Sequence, residues 1–300
     1  MLNSFPRGAV TASLTPLKSD LTLDSKRLIK HCHWLLEQGS AGIALLGTTG
    51  EANSFSLAER MSFLDAIATS SLPLDKIMVG TGCCAYSETV ELTKHALASG
   101  MSNILMLPPF YYKQVNEEGL GNYFDLIIDQ IGHDQLQIYL YHIPKMSGLG
   151  FSLSLVTSLV EKYPKVIVGI KDSSGDFGNM KEIRQALPEF RLYAGTEKHL
   201  LDVLRIGGVG CISATANVTA RWISQVYTQW QTKEADALQE KVSRLRSCFE
   251  GLPFTAILKQ YLAHYQNDPT WLNIRPPNSI LQDAVLDKVM AGLNAEGFHP

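Results

Sequence analysis

Short apolar runs alternate with longer amphipathic stretches along most of this 300-residue chain. The apolar runs have the length of strands that are buried on both faces, and the amphipathic stretches have the periodicity of helices. Strands that alternate with helices predict a parallel sheet, because parallel neighbours need a crossover connection. The runs that we interpret as strands cover residues 9–14, 42–46, 76–80, 103–107, 137–141, 166–170, 191–194 and 210–213.

Eight strand–helix units in a chain of this length favour a (β/α)8 TIM barrel, with a doubly wound open sheet as the alternative. Helices are predicted between the strands over residues 24–38, 57–70, 87–99, 117–131, 152–162, 179–186 and 198–206. More helices follow the last strand, over residues 221–230, 233–249, 254–264 and 281–293. One of these closes the barrel and the others form a C-terminal helical extension. We therefore assign residues 1–231 to a catalytic barrel and residues 232–300 to a C-terminal helical domain.

Composition excludes several classes of protein. The chain is 45% apolar and 18% charged with a net charge of −3, which is typical of a globular protein and argues against disorder. A weakly acidic chain lacks the basic face of a nucleic-acid binder. No apolar run reaches the ~18–20 residues that cross a bilayer, and residues 1–7 lack the pattern of a signal peptide. We expect a cytoplasmic protein with no nucleic-acid or membrane partner.

The five cysteines do not predict a disulfide framework, because their number is odd and no export signal is visible. Cys83 and Cys84 are adjacent and lack the spacing of a zinc or redox motif, so small buried side chains are the expectation. His31 and His33 flank Cys32 within a predicted helix. Positions i and i+2 of a helix point apart, so this cluster does not predict a metal site.

Side chains that follow the strands are the candidates for chemistry, because a parallel barrel places its active site at the C-terminal ends of its strands. The second strand is followed by Gly47–Glu51, with the sequence GTTGE. Its glycines permit a tight turn, and Thr48 and Thr49 offer hydroxyls and backbone amides to a ligand. The segment is not a phosphate-binding P-loop, because no Lys-Ser/Thr follows its second glycine. Tyr111 and Tyr112 follow the fourth strand.

Lys171 is the most informative lysine, because it directly follows an apolar strand. Tyr141 ends the preceding strand 30 residues earlier, which is one strand–helix repeat, so both side chains are expected at the same rim. Burial in a barrel mouth favours the neutral, nucleophilic amine of a lysine, and a neighbouring phenol can relay protons. This pair suggests Schiff-base chemistry on a carbonyl substrate. His142 faces the opposite side of the strand and is expected to be structural.

Four segments in this order and spacing resemble the dihydrodipicolinate synthase / N-acetylneuraminate lyase family of class I, Schiff-base, pyruvate-dependent aldolases. The segments are Gly47–Glu51, Tyr141–Pro144, Gly169–Asp172 and Gly210–Asn217. The resemblance covers nearly the whole chain. It implies a (β/α)8 barrel with a C-terminal helical domain, commonly assembled as a homotetramer of two dimers.

The resemblance also implies roles for individual residues. Lys171 would form the Schiff base with the keto carbon of pyruvate or another 2-keto acid, and Tyr141 would shuttle protons with support from Thr49. Thr48 and Thr49 match the segment that holds the keto-acid carboxylate. Tyr111 matches a tyrosine that enters the relay from the neighbouring subunit, with Tyr112 as the alternative. Two further residues, Gly195 and Ile212, match positions that line the pocket.

One departure from the family pattern bears on the substrate. In the synthases an arginine holds the carboxylate of the aldehyde, whereas Met146 stands at that position here. A methionine cannot make a bidentate contact with a carboxylate. The following Ser147-Gly148 is similar to the lyase and keto-acid aldolase branches, so a role in lysine biosynthesis is disfavoured.

The resulting hypothesis is a carbon–carbon lyase, an aldolase that splits a 2-keto-3-deoxy sugar acid or a 4-hydroxy-2-oxo acid into pyruvate and an aldehyde. The scheme needs no metal and no organic cofactor. One alternative is a 4-hydroxy-tetrahydrodipicolinate synthase that condenses pyruvate with aspartate semialdehyde. Others are a dehydratase or deaminase that uses the same Schiff base, and a non-catalytic keto-acid sensor.

Overall fold

The computed structural model describes residues 5–298 and arranges its strands in one closed parallel barrel, in chain order. The strands are β1 (Gly8–Ala12), β2 (Gly42–Leu45), β3 (Ile77–Gly80), β4 (Asn103–Met106), β5 (Gln137–His142), β6 (Ile167–Asp172), β7 (Arg191–Ala194) and β8 (Gly210–Ser213). Closure comes from the pairing of β8 with β1, which sets Gly210 opposite Gly8. The predicted barrel is confirmed and the open sheet is wrong, because this last pairing leaves no free sheet edge.

The helices cover the outside of the barrel and continue beyond it. They are α1 (Ser25–Glu37), α2 (Leu57–Ala68), α3 (Tyr86–Ala98), α4 (Glu117–Ile131), α5 (Pro144–Ser147), α6 (Leu153–Lys162), α7 (Phe177–Ala186), α8 (Leu200–Arg205), α9 (Ala216–Gln229), α10 (Ala235–Ser247), α11 (Phe254–Tyr265) and α12 (Asp283–Ala295). No helix within residues 5–298 is long and apolar enough to cross a bilayer.

Two helices differ most from the sequence prediction. Helix α9 begins at Ala216 rather than at residue 221, and its first five residues are all buried, so they show no amphipathic periodicity. Helix α5 was not predicted at all. It is a single turn with Pro144 at its first position, and it is capped by Gly148, whose φ of 67° is accessible to glycine at little cost.

An aromatic cluster fills the lower part of the barrel, beneath the C-terminal rim. Phe5, Tyr139 and Tyr193 meet edge to face, with ring centroids 6.0–6.2 Å apart. Gly169 faces this cluster, and a Cβ there would lie only 2.6 Å from the Tyr139 ring. Tyr193 donates a hydrogen bond to Pro6 O at 2.6 Å, which satisfies its buried hydroxyl. The barrel therefore has a packed floor, and its open end is the C-terminal rim.

Helices α10, α11 and α12 contribute to a second apolar core beside the barrel, which includes Phe249, Tyr261 and Leu293. Because it also includes Leu14 and Val218, we propose that this core joins the C-terminal domain assigned to residues 232–300 to the barrel. The outermost residues of the two assigned domains, 1–4 and 299–300, lie outside the described residues.

Candidate active site

Lys171 and Tyr141 lie side by side at the rim of the barrel. They are direct neighbours in the pairing of β6 with β5, as the 30-residue spacing predicted. Both are buried, and Lys171 Nζ donates a hydrogen bond to Tyr141 Oη at 3.2 Å. The same nitrogen lies 4.3 Å from the centre of the tyrosine ring. The pair therefore places a primary amine and a phenol in contact at the mouth.

The row continues to the turn that follows β2. Thr48 Oγ1 lies 3.3 Å from Tyr141 Oη, within hydrogen-bond distance, and the Thr48 side chain faces the open mouth. Thr49 is buried beside it, and the contact within hydrogen-bond distance of the tyrosine is made by the hydroxyl of Thr48. The support that the family resemblance assigns to Thr49 stays a prediction. Lysine, tyrosine and threonine thus form one continuous row of polar groups that can pass protons.

Residues of α11 and of the segment that follows it hold this turn in place. The Glu51 side chain is fully buried, and both of its carboxylate oxygens accept hydrogen bonds, from Lys259 Nζ and from Arg275 N. Lys259, which is also fully buried, donates a second bond to Asn273 O at 2.9 Å. Burial lowers the pKa of Lys259, and the Glu51 carboxylate opposes that shift. Glu51 itself has a left-handed φ of 58°, a conformation that needs such support.

Two neighbouring contacts fix the same turn. Thr255 Oγ1 donates to Thr49 O at 3.3 Å, and Thr15 Oγ1 donates to Gly50 O at 2.8 Å. Sequence analysis missed Lys259 and Thr255 as supports of the site. The local signal is a lysine within the mostly apolar helix α11, and it gives no indication of its partner.

We expect Lys259→Met to lower the free energy of unfolding by about 3–5 kcal/mol, because it leaves the Glu51 carboxylate buried without its cation. Chemical denaturation measures this loss, and kcat/KM should fall with it. The double variant Glu51→Gln/Lys259→Met removes both charges and should regain most of the stability. Because the turn is still unsupported, its kcat/KM should stay low.

Lys162→Met is the matched control for that experiment. It breaks an exposed 2.7 Å pair with Asp125 far from the rim, so it should change stability by no more than ~1 kcal/mol. If Lys259→Met is as mild as this control, the pair does not support the turn.

A second buried carboxylate is held at the rim in a similar way. Glu197 accepts hydrogen bonds from Ser213 Oγ at 2.5 Å, from Thr215 Oγ1 and from Arg246 Nη1 at 3.0 Å. Ser213 ends β8, whereas Arg246 comes from α10. The C-terminal helices therefore reach the rim at two separate positions.

His142 faces away from Lys171, as the strand alternation predicted. Its Nδ1 accepts a hydrogen bond from Phe151 N at 2.9 Å, and the imidazole lies against Gly150. Burial lowers its pKa, although the carboxylate of Asp172 partly opposes this shift. The ring thus anchors the segment after α5, which is a structural role.

The remaining predicted residues differ widely in exposure. Tyr111 and Tyr112 are 72% and 73% exposed, and their rings meet edge to face at 5.2 Å. Met146, in α5, is 65% exposed. Ile212 is buried in the barrel interior opposite Val10 of β1.

Gly195 lies where β7 approaches the end of β6. Its backbone N donates to Asp172 O at 2.5 Å, and a Cβ at this position would lie 2.0 Å from Ser173 Oγ. Only glycine fits this approach. A small cavity beside Tyr141 is lined by Gly47, Thr48, Asn53 and Leu107, so the turn after β2 forms one wall of the mouth. Asn53 was not predicted to take part in the site.

All five cysteines are free. Cys83 is buried as expected, whereas the expectation is wrong for Cys84, which is exposed. Cys32 and Cys211 are also buried, and Cys248 is half-buried. His31 and His33 point to different neighbours, Asn217 and Ser71, in agreement with the helical spacing. Within residues 5–298, no group of three or more His, Cys, Asp or Glu side chains could hold a metal ion.

Comparison with known proteins gives consistent results. The model of the dihydrodipicolinate synthetase family matches residues 5–296. An uncharacterized DapA-like lyase from Chloroflexus aurantiacus is 31% identical over 277 residues, which cover 92% of this chain and 90% of that protein. A probable 2-dehydro-3-deoxy-D-pentonate aldolase from Escherichia coli is 28% identical over 289 residues, which cover 94% of each chain.

A solved structure shares the fold. The crystal structure of dihydrodipicolinate synthase from Agrobacterium tumefaciens is similar with a TM-score of 0.89 and 26% identity, and the match covers 96% of this chain and 99% of that one. The barrel and the helices that follow it therefore have the same arrangement in both proteins.

Proposed function

The chain belongs to the dihydrodipicolinate synthetase family, and on that premise we propose that it is a class I, pyruvate-dependent carbon–carbon lyase in which Lys171 is the Schiff-base residue. The observation that carries this proposal is the buried contact of Lys171 Nζ with Tyr141 Oη, which itself lies within hydrogen-bond distance of Thr48. A nucleophilic amine, a proton relay and an open mouth are what a 2-keto acid requires.

In the first step, the amine of Lys171 adds to C2 of the 2-keto acid. Loss of one water molecule leaves an iminium, which withdraws electrons from C3. Tyr141 Oη lies beside the amine and can relay the protons that this addition and dehydration move. The threonines and backbone amides of the turn after β2 hold the carboxylate at C1.

In the second step, the bond between C3 and C4 breaks. The proton of the 4-hydroxyl passes to the relay of Tyr141 and Thr48 as the aldehyde forms, and the electron pair of the broken bond produces an enamine at C2–C3. The enamine takes up a proton at C3, and water hydrolyses the iminium that results. Pyruvate leaves and the free amine of Lys171 is restored. The iminium is the electron sink, so the scheme uses no metal and no organic cofactor.

Oligomerisation completes the site in this proposal. Tyr111 and Tyr112 are large aromatic side chains that project from the loop after β4, and both are mostly exposed in the single chain. Exposed aromatic pairs of this kind are typical of surfaces that bind a partner. We propose a homotetramer in which one of these tyrosines joins the relay of a neighbouring subunit. The cytoplasm is the proposed location.

The exposed Met146 supports a hydroxylated keto acid as substrate. It supplies no charged group for a second carboxylate, and its neighbour Lys145 is also exposed. We therefore propose cleavage of a 2-keto-3-deoxy sugar acid or a 4-hydroxy-2-oxo acid, with Gly195 and Ile212 lining the pocket. The second candidate activity is the synthesis of 4-hydroxy-tetrahydrodipicolinate. It is favoured by a relative named 4-hydroxy-tetrahydrodipicolinate synthase, which is 32% identical over 244 residues.

We expect Met146→Arg to raise kcat/KM for the condensation of pyruvate with aspartate semialdehyde by about 10–150-fold, the gain from one charge-assisted pair with a carboxylate. Cleavage of a hydroxylated keto acid should change much less. Steady-state assays of both reactions in the parent and the variant measure the difference. Met146→Leu is the control for the change of side chain, because it adds no charge.

Assays of the unmodified enzyme distinguish the lyase from the synthase. A lyase should release pyruvate from a panel of hydroxylated keto acids and should condense aspartate semialdehyde poorly. Rapid condensation by the unmodified enzyme would instead favour the synthase. A dehydratase or deaminase would release a product that keeps the whole carbon chain, and a sensor would show no turnover.

A further inference from the structure

A second cavity lies at the seam between α1 and the segment that follows α11, away from the row of Lys171. We call it the seam cavity. Its volume is about 290 Å³, which suits a small ligand. Its aromatic walls are Trp34, Trp271 and Tyr265, and its polar lining includes Arg27, Lys30, His31 and Asp268.

The imidazole of His31 lies between two indoles in this cavity. It stacks on Trp34 at 5.8 Å and meets Trp271 edge to face at 4.9 Å between ring centres. The side chain is only 3% exposed, and burial lowers its pKa to about 4. The ring is therefore neutral at pH 7, with one nitrogen bearing hydrogen and one bare.

The contacts of Asn217 identify which nitrogen of His31 carries the hydrogen. Asn217 Nδ2 donates to Ala12 O at 2.8 Å and to Ala214 O at 2.7 Å, so Oδ1 is the acceptor that faces His31 Nε2 at 3.0 Å. Nε2 must then be the donor, and Nδ1 is a bare acceptor. This Nδ1 is buried and has no hydrogen-bond partner among the described residues.

Arg27, which lines the same cavity, has an unpaired donor. Arg27 Nη1 is buried without a partner among the described residues, although Nη2 of the same guanidinium pairs with Asp268. Lys30 is exposed at the edge and adds a second positive charge. With His31 neutral, the charges of Arg27, Lys30 and Asp268 leave the lining at +1.

We propose that the seam cavity binds a small planar carboxylate that also carries a hydrogen-bond donor, of the chemical class of the hydroxylated aromatic acids. The indoles hold the planar body, and the carboxylate lies towards Lys30 and Arg27. The donor of the ligand supplies the partner that His31 Nδ1 lacks. Unpaired buried groups are costly, so a ligand that pairs both gains affinity that is specific to its chemistry.

The test uses 3-hydroxybenzoate and two matched probes. The amide 3-hydroxybenzamide lacks the charge, and benzoate lacks the donor. Saturation-transfer NMR titrations on the full chain should give a dissociation constant of the order of 1 mM for 3-hydroxybenzoate, as expected for so few atoms. Each of the other probes should bind at least about fivefold more weakly.

Five variants locate the binding. Lys30→Gln and Tyr265→Ala change exposed positions of the lining, so the fold should persist, and each should weaken binding by about two- to fivefold. Lys30→Arg should retain it. Lys26→Gln lies on the same helix outside the cavity and should have no effect, and Thr48→Val at the barrel mouth should have none either.

Three results would overturn the proposal. The first is no saturable binding of 3-hydroxybenzoate up to about 20 mM, which would leave the seam cavity to water. The second is equal affinity for the charged and neutral probes. The third is binding that Thr48→Val abolishes while Lys30→Gln and Tyr265→Ala leave it unchanged, which would place the probe in the barrel mouth.

Discussion

The variant Lys171→Ala should release no pyruvate from any 2-keto acid and should gain no mass when it is treated with pyruvate and borohydride. The iminium on this lysine is the electron sink of the reaction, and no other group replaces it. Mass spectrometry of the reduced protein and the turnover number measure the two effects. Circular dichroism should show an unchanged fold, because the remaining side chains of the barrel still pack against one another.

Lys145→Ala is the matched control, because Lys145 is an exposed lysine in α5, the short helix after β5. It should keep both the adduct and the activity. Mapping the adduct of the parent enzyme to a lysine other than 171 would show that the proposed mechanism is wrong.

Tyr141→Phe should lower kcat by about 10²–10⁴-fold, the usual loss for a group that transfers protons in the transition state. The change removes only the hydroxyl that joins Lys171 Nζ to Thr48 Oγ1, and the ring continues to pack in the barrel. Pyruvate should still form a trappable Schiff base, at a reduced rate. Single-turnover kinetics separate the slow formation of the adduct from the slower cleavage.

Two threonine variants make that test specific. Thr48→Val removes the hydroxyl next to Tyr141 and should lower kcat, whereas Thr49→Val alters a buried neighbour and should lower it less. A larger loss in Thr49→Val would restore the role that the family resemblance assigned to Thr49. An unchanged kcat in Tyr141→Phe would move the relay to Tyr111 or Tyr112.

The sequence predicts the strands well because each is a short apolar run, but it misplaces their ends. The apolar run of β6 ends at Ile170, yet the backbone pairing of β6 with β5 continues through Lys171 and Asp172. The lysine side chain at position 171 interrupts the apolar pattern, although the backbone of this residue still pairs with β5. Apolar pattern reports the environment of side chains, whereas a strand is defined by its backbone hydrogen bonds.

The sequence likewise predicts one part of the candidate site and not the rest. The spacing of Tyr141 and Lys171 follows from one strand–helix repeat, so their contact could be predicted. Which of two adjacent threonines faces the tyrosine depends on the dihedral angles of the turn, and no residue pattern specifies these. The pair of Glu51 and Lys259 spans 208 residues, and a single chain contains no local signal for a partner so distant.

The buried bond from Lys259 to Glu51 also bears on how such a protein can be rebuilt. The turn that closes the polar row is part of the barrel in sequence, but its electrostatic anchor belongs to α11. A chimera that combines this barrel with the helical extension of a relative would need a lysine at the same place, or it would bury an unpaired carboxylate beside the mouth. Barrel and extension therefore form one module for recombination and for evolution.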